Sequence, residues 1–568
     1  MHRLLISAAH KSSGKTMVTV GLCAALAARG QVVQAFKKGP DYIDPMWLRQ
    51  ASGRDCYNLD PFLMTHRQIS GLFARHAAPA DISIVEGNKG LYDGLALDGS
   101  NSNAALAQML GLPVLLVIDA RGMTRGISPL LLGYQAFDRS IRIAGVILNQ
   151  LGGARHESKL RAVIEHYTDL PVLGAIAHDP RLAVVERHLG LMPSRELDDA
   201  AQRVRAIGAL VAAQVDLSRV LEVAASAAHT PAMDPPAAGD KHVSVRAEPI
   251  SVRAEPISVR AAPISVGAEP ISVHAAPDSK PAELGMPTAW PVMGLARPEP
   301  VDRSKGRRVE GPLRAGRSAS AGVMQRKAPV HPPIRIGVAR DKAFGFYYPD
   351  DLEALQRCGA ALVPFDTLND PELPAVDGLF IGGGFPEMFM DELQANTRLR
   401  ARIAAAVEAG LPVYAECGGL MYLARSLSWQ GRTCRMVGAI QADALMHERP
   451  VGRGYVELEP TTRVLWTDAA PGTTRTLRGH EFHYSSLENL DPKTRFAYKV
   501  LRGHGVDGHH DGIVVHNLLA SYSHLRCVDG AGWAQGFAAF VRSCKSLALR
   551  APAGAPARDE PAEAAFAA

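Results

Sequence analysis

Short apolar runs alternate with longer amphipathic ones in two parts of the chain, and the pattern lapses between them. In the first part, up to about residue 224, the runs 4–8, Ile82–Glu86, Val114–Asp119 and 143–149 are continuous stretches of branched apolar residues, as expected for strands covered on both faces. Stretches 16–29 and 104–110 carry apolar residues at helical spacing. Strands alternating with helices predict a parallel sheet with crossover helices. From about residue 334 to 545 the alternation returns, with strands expected at Ile334–Ala339, Gly378–Ile381 and 412–415 and helices at 399–408 and 420–426. The expectation is an α/β protein with globular domains at 1–224 and 334–545.

The intervening 225–333 have no such period. Five heptads, VSVRAEP, ISVRAEP, ISVRAAP, ISVGAEP and ISVHAAP, follow one another over 243–277. A seven-residue period suggests a coiled coil, but every copy contains proline, which removes an amide donor and clashes within a helix. With almost no aromatic residues to build a core, the segment is expected to be a disordered linker. The Ala- and Pro-rich tail 546–568 is expected to be disordered too.

Composition agrees with a soluble globular protein: 47% of the 568 residues are hydrophobic and 21% charged. The net charge of +5 gives no reason to invoke nucleic acid, because part of the excess lies in the linker. Seven scattered cysteines without a CxxC pair argue against a disulfide framework or a zinc site and fit a reducing cytosol. The N-terminal apolar run is too short for a secretory signal, and no stretch approaches the ~20 residues of a membrane span. A cytoplasmic protein that neither spans nor needs a membrane is expected.

Two stretches carry chemistry. Ser12-Ser13-Gly14-Lys15-Thr16 follows a strand and opens a helix, the context a phosphate-binding loop needs. Amides at the helix N-terminus can cradle phosphates, Lys15 can neutralise them, and the Thr16 hydroxyl can hold Mg²⁺. Ala9 stands where the first glycine of such a loop usually lies. Glu86 and Asp119 each end a strand, where a carboxylate either orders Mg²⁺ or caps a turn. Residues 37–45, KKGPDYIDP, set Lys38, Asp41 and Asp44 just beyond another strand, where open α/β sheets bind ligands.

The second stretch is PVYAECGGL, which puts Cys417 at a strand-to-helix turn whose glycines permit the strained backbone of a nucleophile elbow. The glycines of IGGGFPE, with Gly383 and Gly384 at their centre, offer amides for an oxyanion hole. His524 of ASYSH is a candidate base, with His480 and His483 of RGHEFHYS as rivals.

Taken together, FKKGPDYIDP, EGNKGLYDG, PVLLVIDARG, AGVILN, LPVLGAI and ERHLGL, followed by FGFYYPD, GGGFPE, YAECGGLMYL, RGHEFHYS and ASYSH, resemble the cobyrinate a,c-diamide synthases, which amidate acetate side chains of corrinoid precursors with glutamine and ATP. The resemblance covers both globular parts and not the linker. It implies a dethiobiotin-synthetase-like P-loop fold followed by a class I glutamine amidotransferase. It implies Cys417 as glutaminase nucleophile with His524 activating it; Ser13, Gly14, Lys15 and Thr16 as the ATP site; Asp41, Asp44, Glu86 and Asp93 as carboxylates of the synthetase site; and Mg²⁺ held by Thr16 and Glu86. Partners would be glutamine, ATP and a corrinoid or related tetrapyrrole, with a homodimer left open. Position 526, where many class I glutaminases carry an acid two residues after the histidine, is arginine, so a Cys–His dyad is expected rather than a triad. Two substrates stay open, because siroheme amidases share these motifs and would act on siroheme or a metallo-sirohydrochlorin. A regulatory P-loop ATPase is another reading, and it leaves the Cys417 elbow without a purpose; against a third, cobyric acid synthase with its different amidation sites, GPDYIDP and HEFHYS favour the a,c-diamide group.

Overall fold

The computed structural model describes residues 2–179, 192–227, 333–466, 476–528 and 532–550, together with the strand pair β8 (Glu186–Arg187) and β9 (Gly190–Leu191). The heptads at 243–277, nearly all of the expected linker, and the tail from 551 lie outside the described residues.

The N-terminal lobe is built on seven strands: β1 (His2–Ala8), β2 (Val33–Lys38), β3 (Tyr57–Leu59), β4 (Ile82–Glu86), β5 (Val114–Asp119), β6 (Ile143–Leu151) and β7 (Val172–Ala177). They form one sheet in the order β3-β2-β4-β1-β5-β6-β7, parallel throughout. Successive side chains of a strand point to opposite faces, and here both faces are covered. Leu5 goes to one core while Leu4 and Ile6 go to the other. Helices α1 (Lys15–Ala28), α2 (Ile43–Ser52), α7 (Ala200–Gln214) and α8 (Leu217–Ala225) cover one face, and α3 (His66–Ala77), α4 (Asn103–Leu110), α5 (Ile127–Phe137) and α6 (Ala154–Tyr167) the other.

The C-terminal lobe contains β10 (Ile334–Ala339), β11 (Phe344–Phe346), β12 (Ala360–Phe365), β13 (Gly378–Ile381), β14 (Gly383–Gly384), β15 (Val413–Glu416), β16 (Ala424–Trp429), β17 (Arg432–Arg435), β18 (Ile440–Met446), β19 (Gly452–Pro460), β20 (Leu477–His483), β21 (Ser485–Glu488), β22 (Arg495–Arg502), β23 (His510–Val515) and β24 (Leu518–Ser521). Its main sheet runs β12-β10-β13-β15-β24-β23-β22-β19-β20, parallel from β12 to β24 and antiparallel beyond. Helices α10 (Met390–Ala395), α11 (Thr397–Glu408) and α12 (Gly418–Leu423) cover one face of the parallel half. Helices α9 (Pro349–Arg357) and α13 (Trp533–Arg550) cover the other.

Two boundaries differ from the sequence reading. The last helix continues to Arg550, past the expected end at 545. The run 420–426, expected as one helix, is split: α12 stops at Leu423, Ala424 turns extended, and β16 pairs between β17 and β18. A short buried apolar run has no periodicity with which to tell helix from strand. Among the described residues no helix is long and apolar enough to cross a membrane.

Candidate active site

The loop between β1 and α1 has the shape its sequence calls for. Ser12 and Gly14 both take positive φ, 65° and 84°, which turns the backbone sharply before the helix. The Asn149 side-chain amide, at the end of β6, donates to Ser13 O at 2.9 Å and lies where a Cβ on Gly14 would fall, so only glycine fits. Ser13 Oγ donates back to His10 O at 2.9 Å. Lys15 is nearly buried, and its pKa falls to about 8 through burial and repulsion from Lys37, with Glu86, Asp44 and Asp93 opposing. A desolvated ammonium beside free helix N-terminal amides is a site for phosphate oxygens.

The Thr16 hydroxyl lies 2.7 Å from Glu86 Oε1 and 3.2 Å from Asp44 Oδ2. Lys37, buried on β2, reaches the same two carboxylates, with Nζ 2.9 Å from Glu86 Oε1 and in contact with Asp44 Oδ2; Asp41 is 3.7 Å away. Lys37 and Glu86 are register partners on adjacent strands. Burial opposes the charge on Lys37, but Asp44, Glu86 and Asp41 raise its pKa well above the ordinary value. Lys37 in turn outweighs burial at Asp44 and holds that carboxyl low, whereas burial dominates at Glu86 and raises it. Asp41 is raised to about 7 by burial and by Asp44, and its Oδ1 accepts from the Ile43 and Asp44 amides at the start of α2. The lysine that joins this cluster is Lys37, not the Lys38 favoured by the sequence; Lys38 Nζ points to Asn88 Oδ1 at 3.1 Å.

Asp93 stands apart on an exposed loop, where it accepts from Gly90 N at 2.8 Å and acts on Lys15 only through its field. Asp119 caps its own turn and pairs with exposed Arg121. Glu86 is 0% exposed and its Oε2 has no hydrogen-bond partner. Among the described residues no three His, Cys, Asp or Glu side chains form a metal cage. One or two carboxylates and a hydroxyl suit Mg²⁺, which takes its other ligands from phosphates and water.

Three neighbouring parallel strands, β13, β15 and β24, bring the second centre together, each delivering one part just beyond its C-terminal end. Cys417 follows β15 with φ 47° and ψ −101°, a sharp elbow, and is 7% exposed. A Cβ on Gly418 would lie 2.9 Å from Gly384 N, so the loop after β13 presses on the elbow. Gly384 therefore stands beside the elbow, and a Cβ on Gly383 would lie 2.7 Å from His524 Cε1.

His524, after β24, interacts with Cys417 and sends Nδ1 to Glu416 Oε2 at 3.1 Å. Burial lowers its pKa, but the bonds to Cys417 and Glu416 prevail and lift it to about 10. Glu416 is itself fixed, accepting at Oε1 from Tyr414 Oη at 2.7 Å and Leu525 N at 3.1 Å. Behind the expected pair thus stands a carboxylate, that of the residue immediately before the cysteine. The rivals have other places. His480 stacks 4.9 Å from His524 and is kept neutral by burial and by the charges of His524 and Arg526. His483 donates from Nδ1 to Ser485 O and stacks on Tyr522.

Arg526 makes two bonds to Asp350 Oδ2, at 3.0 and 2.9 Å, and donates to Asn58 O of the N-terminal lobe at 2.6 Å. The position that holds an acid in many glutaminases therefore ties the lobes together. Tyr42, between Asp41 and the start of α2, enters the second centre. Its ring stacks on Phe346 at 5.3 Å and 2°, and lies 5.2 Å from His524.

Residues 335–531 match the model of the CobB/CobQ-like glutamine amidotransferase domain, and residues 2–185 match an AAA domain. Curated relatives match over nearly the whole chain. A cobyrinate a,c-diamide synthase of Magnetococcus marinus is 42% identical over 540 residues, covering 95% of this chain and 97% of the relative. One of Methanosarcina acetivorans is 36% identical over 551 residues, covering 93% and 92%. One of Listeria monocytogenes is 33% identical over 536 residues, covering 92% and 96%.

Proposed function

The chain belongs to the cobyrinate a,c-diamide synthase family, a glutamine-hydrolysing ligase with a nucleotide-binding lobe, and from that premise we propose that it amidates the a- and c-acetate carboxylates of a cobyrinate-type corrinoid precursor. The observation that carries this reading is the Cys417 elbow with His524 interacting with it and Glu416 behind the histidine.

In the C-terminal lobe Cys417 Sγ attacks the carboxamide carbon of glutamine, and the Gly383–Gly384 backbone takes the oxyanion. With Nδ1 occupied by Glu416, His524 has Nε2 left to exchange a proton with the thiol and pass it to the departing nitrogen. Ammonia leaves, a γ-glutamyl thioester remains, and water attacks it to give glutamate and the free thiol.

In the N-terminal lobe an acetate oxygen of the macrocycle takes the γ-phosphoryl group of ATP, giving an acyl phosphate and ADP. Ammonia then attacks the acyl carbon, and phosphate departs with the C–O bond electrons. Ser13, Gly14 and Lys15 hold the β/γ-phosphates, and Lys37 sets the charge of the pocket that Asp41 and Asp44 line. Thr16, Asp44 and Glu86 would hold Mg²⁺, whose chemistry is to neutralise phosphate charge; the unpartnered Glu86 Oε2 fits that ion. Asp93 acts on this site through its field on Lys15. A reducing cytoplasm, where the Cys417 thiol persists, is the compartment this chemistry needs.

The test is mass spectrometry of cobyrinic acid and of siroheme after incubation with enzyme, ATP, Mg²⁺ and glutamine. Conversion of two carboxylates of cobyrinic acid is expected, and conversion of siroheme alone would move the substrate to the alternative. Lys15→Ala should stop amidation from either glutamine or ammonia while glutamine hydrolysis survives.

A further inference from the structure

A cavity of about 550 Å³ opens between α2 of the N-terminal lobe and the β10–β11 region of the C-terminal lobe. Its volume is in the range of small-molecule sites. Asp41 and Tyr42 line one side, so it adjoins the Lys37 cluster. A narrower recess sharing Met46, Arg195 and Gly345 runs on toward Gly384 and Phe385 of the second centre.

Three arginines line the cavity: Arg49, Arg195 and Arg340. Arg49 pairs with Asp55 at 3.1 Å. The other carboxylates of the wall are also engaged, Glu353 by Tyr57 Oη and Arg357, and Asp41 by Lys37 and two backbone amides. Arg195 and Arg340 are half-buried, and among the described residues neither guanidinium group has a hydrogen-bond or ion-pair partner. Burial and repulsion from Arg340 and Arg49 lower the Arg195 pKa to about 10, and burial and Arg49 lower that of Arg340. Two desolvated guanidinium groups left unpaired in one cavity are costly, and an anion bound between them removes that cost. The planar fork selects carboxylate or phosphate. The nucleotide phosphates already have the β1–α1 loop, so the anion that remains is a carboxylate.

We propose that Arg195 and Arg340 form a clamp for side-chain carboxylates of the macrocyclic substrate that are not being amidated, and so determine which acetate reaches Asp41 and Lys37. This rests on the amide-synthase reading above. A polycarboxylate macrocycle offers several acids around one ring, and discriminating among them needs fixed positive charge away from the reacting group. Glutamine is the other carboxylate source, and the recess toward Gly384 makes it the rival occupant.

The test uses Arg195→Ala, Arg340→Ala, the double variant and the two lysine replacements, with cobyrinic acid as probe. Binding is read from the corrinoid absorbance without ATP or glutamine, KM is measured for each substrate, and the position of the first amide is read by NMR. Each alanine variant is expected to weaken cobyrinic acid about tenfold or more, the size of a lost charge-assisted bond. The KM values for ATP and glutamine should hold, the first amide should appear at mixed positions, and the lysine variants should recover part of the affinity. Unchanged cobyrinic acid binding in the double variant overturns the clamp. A rise in glutamine KM alone overturns it as well and gives the arginines to glutamine. If the alanine variants do not fold, the lysine variants decide by the same criteria. Wild-type enzyme that leaves cobyrinic acid unamidated refutes the functional reading and the clamp with it, whereas wild-type turnover with unaltered variants refutes the clamp alone.

Discussion

The ring of Tyr42 lies 5.2 Å from that of His524, although Tyr42 belongs to the N-terminal lobe and His524 to the lobe that holds Cys417. Asp41 and Asp44 flank it in sequence, and Phe346, Tyr348 and His480 surround it. Any shift of the start of α2 when the first centre fills must therefore move a ring packed on the histidine. Tyr42→Ala should uncouple the two reactions: glutamine consumed per amide formed rises well above one, and glutaminase kcat/KM falls about tenfold or more as His524 loses its support. Tyr42→Phe keeps the ring and should keep the ratio. Wild-type coupling in the alanine variant would remove Tyr42 from any role between the centres.

Much of this arrangement is legible in the sequence because local signals are strong there. Ile82–Glu86 and Val114–Asp119 are strands with the expected ends, since each is a fully buried apolar run closed by a carboxylate. The phosphate loop announces itself through Gly14, which takes a φ of 84°, and the Cys417 elbow through Gly418 and Gly419, where a Cβ would strike the backbone of Gly384 and Ile381. What escaped depends on register or distance. Lys37 and Lys38 are adjacent, and only the pairing of β2 with β4 decides that Lys37 faces Glu86. Glu416 stands 108 positions from His524, so its role appears only once β15 and β24 lie side by side. Tyr42 sits within GPDYIDP, a motif whose carboxylates draw attention from its ring.

Cys417→Ser should abolish glutamine-dependent amidation and leave ammonia-dependent amidation largely intact. The thiol serves only the release of nitrogen, and removing such a nucleophile costs several orders of magnitude in its own half-reaction. The measurement is amide formation with glutamine or ammonium salt as donor, and a serine variant hydrolysing glutamine at near wild-type rate would dismiss Cys417 as the nucleophile.

Glu416→Gln tests the carboxylate behind His524. His524 is lifted from 6.5 to about 10 by its bonds to Cys417 and Glu416, so folding favours the protonated ring. That stabilisation is complete below the ordinary value and is lost as pH rises through about 10. With Glu416 neutral, one source of the lift disappears, and the loss moves to lower pH by about a unit or more. The alkaline limb of kcat/KM for glutamine should shift down with it, so the loss of activity relative to the wild type grows as pH rises through about 9, with ammonia-dependent amidation unaffected. A profile that falls in height without shifting would make Glu416 a packing residue only.

Lys37→Met probes the first centre through stability. In the wild-type protein the cation holds Asp44 low, a contribution present above the ordinary carboxylate range and lost as pH falls through the folded value. Asp41 has the opposite sign: raised to about 7, it is proton-binding when folded, so its contribution declines as pH climbs from the ordinary carboxylate range toward 7. Without Lys37 the Asp44 contribution disappears, and Asp41 and Glu86 are pushed further up by an uncompensated neighbour. All three changes act in one direction, against the variant at high pH. The melting temperature should therefore lag the wild type most near pH 8, where leaving buried carboxylates unpaired costs about 3–5 kcal/mol, and converge toward pH 4 as they take up protons. Added Mg²⁺ should raise the variant more than the wild type, because Asp44, Glu86 and the Thr16 hydroxyl then face an empty place for a cation. A melting gap that stays constant from pH 4 to about 8 would mean that Lys37 matters for its aliphatic packing rather than its charge, since only the charge makes the gap depend on protonation.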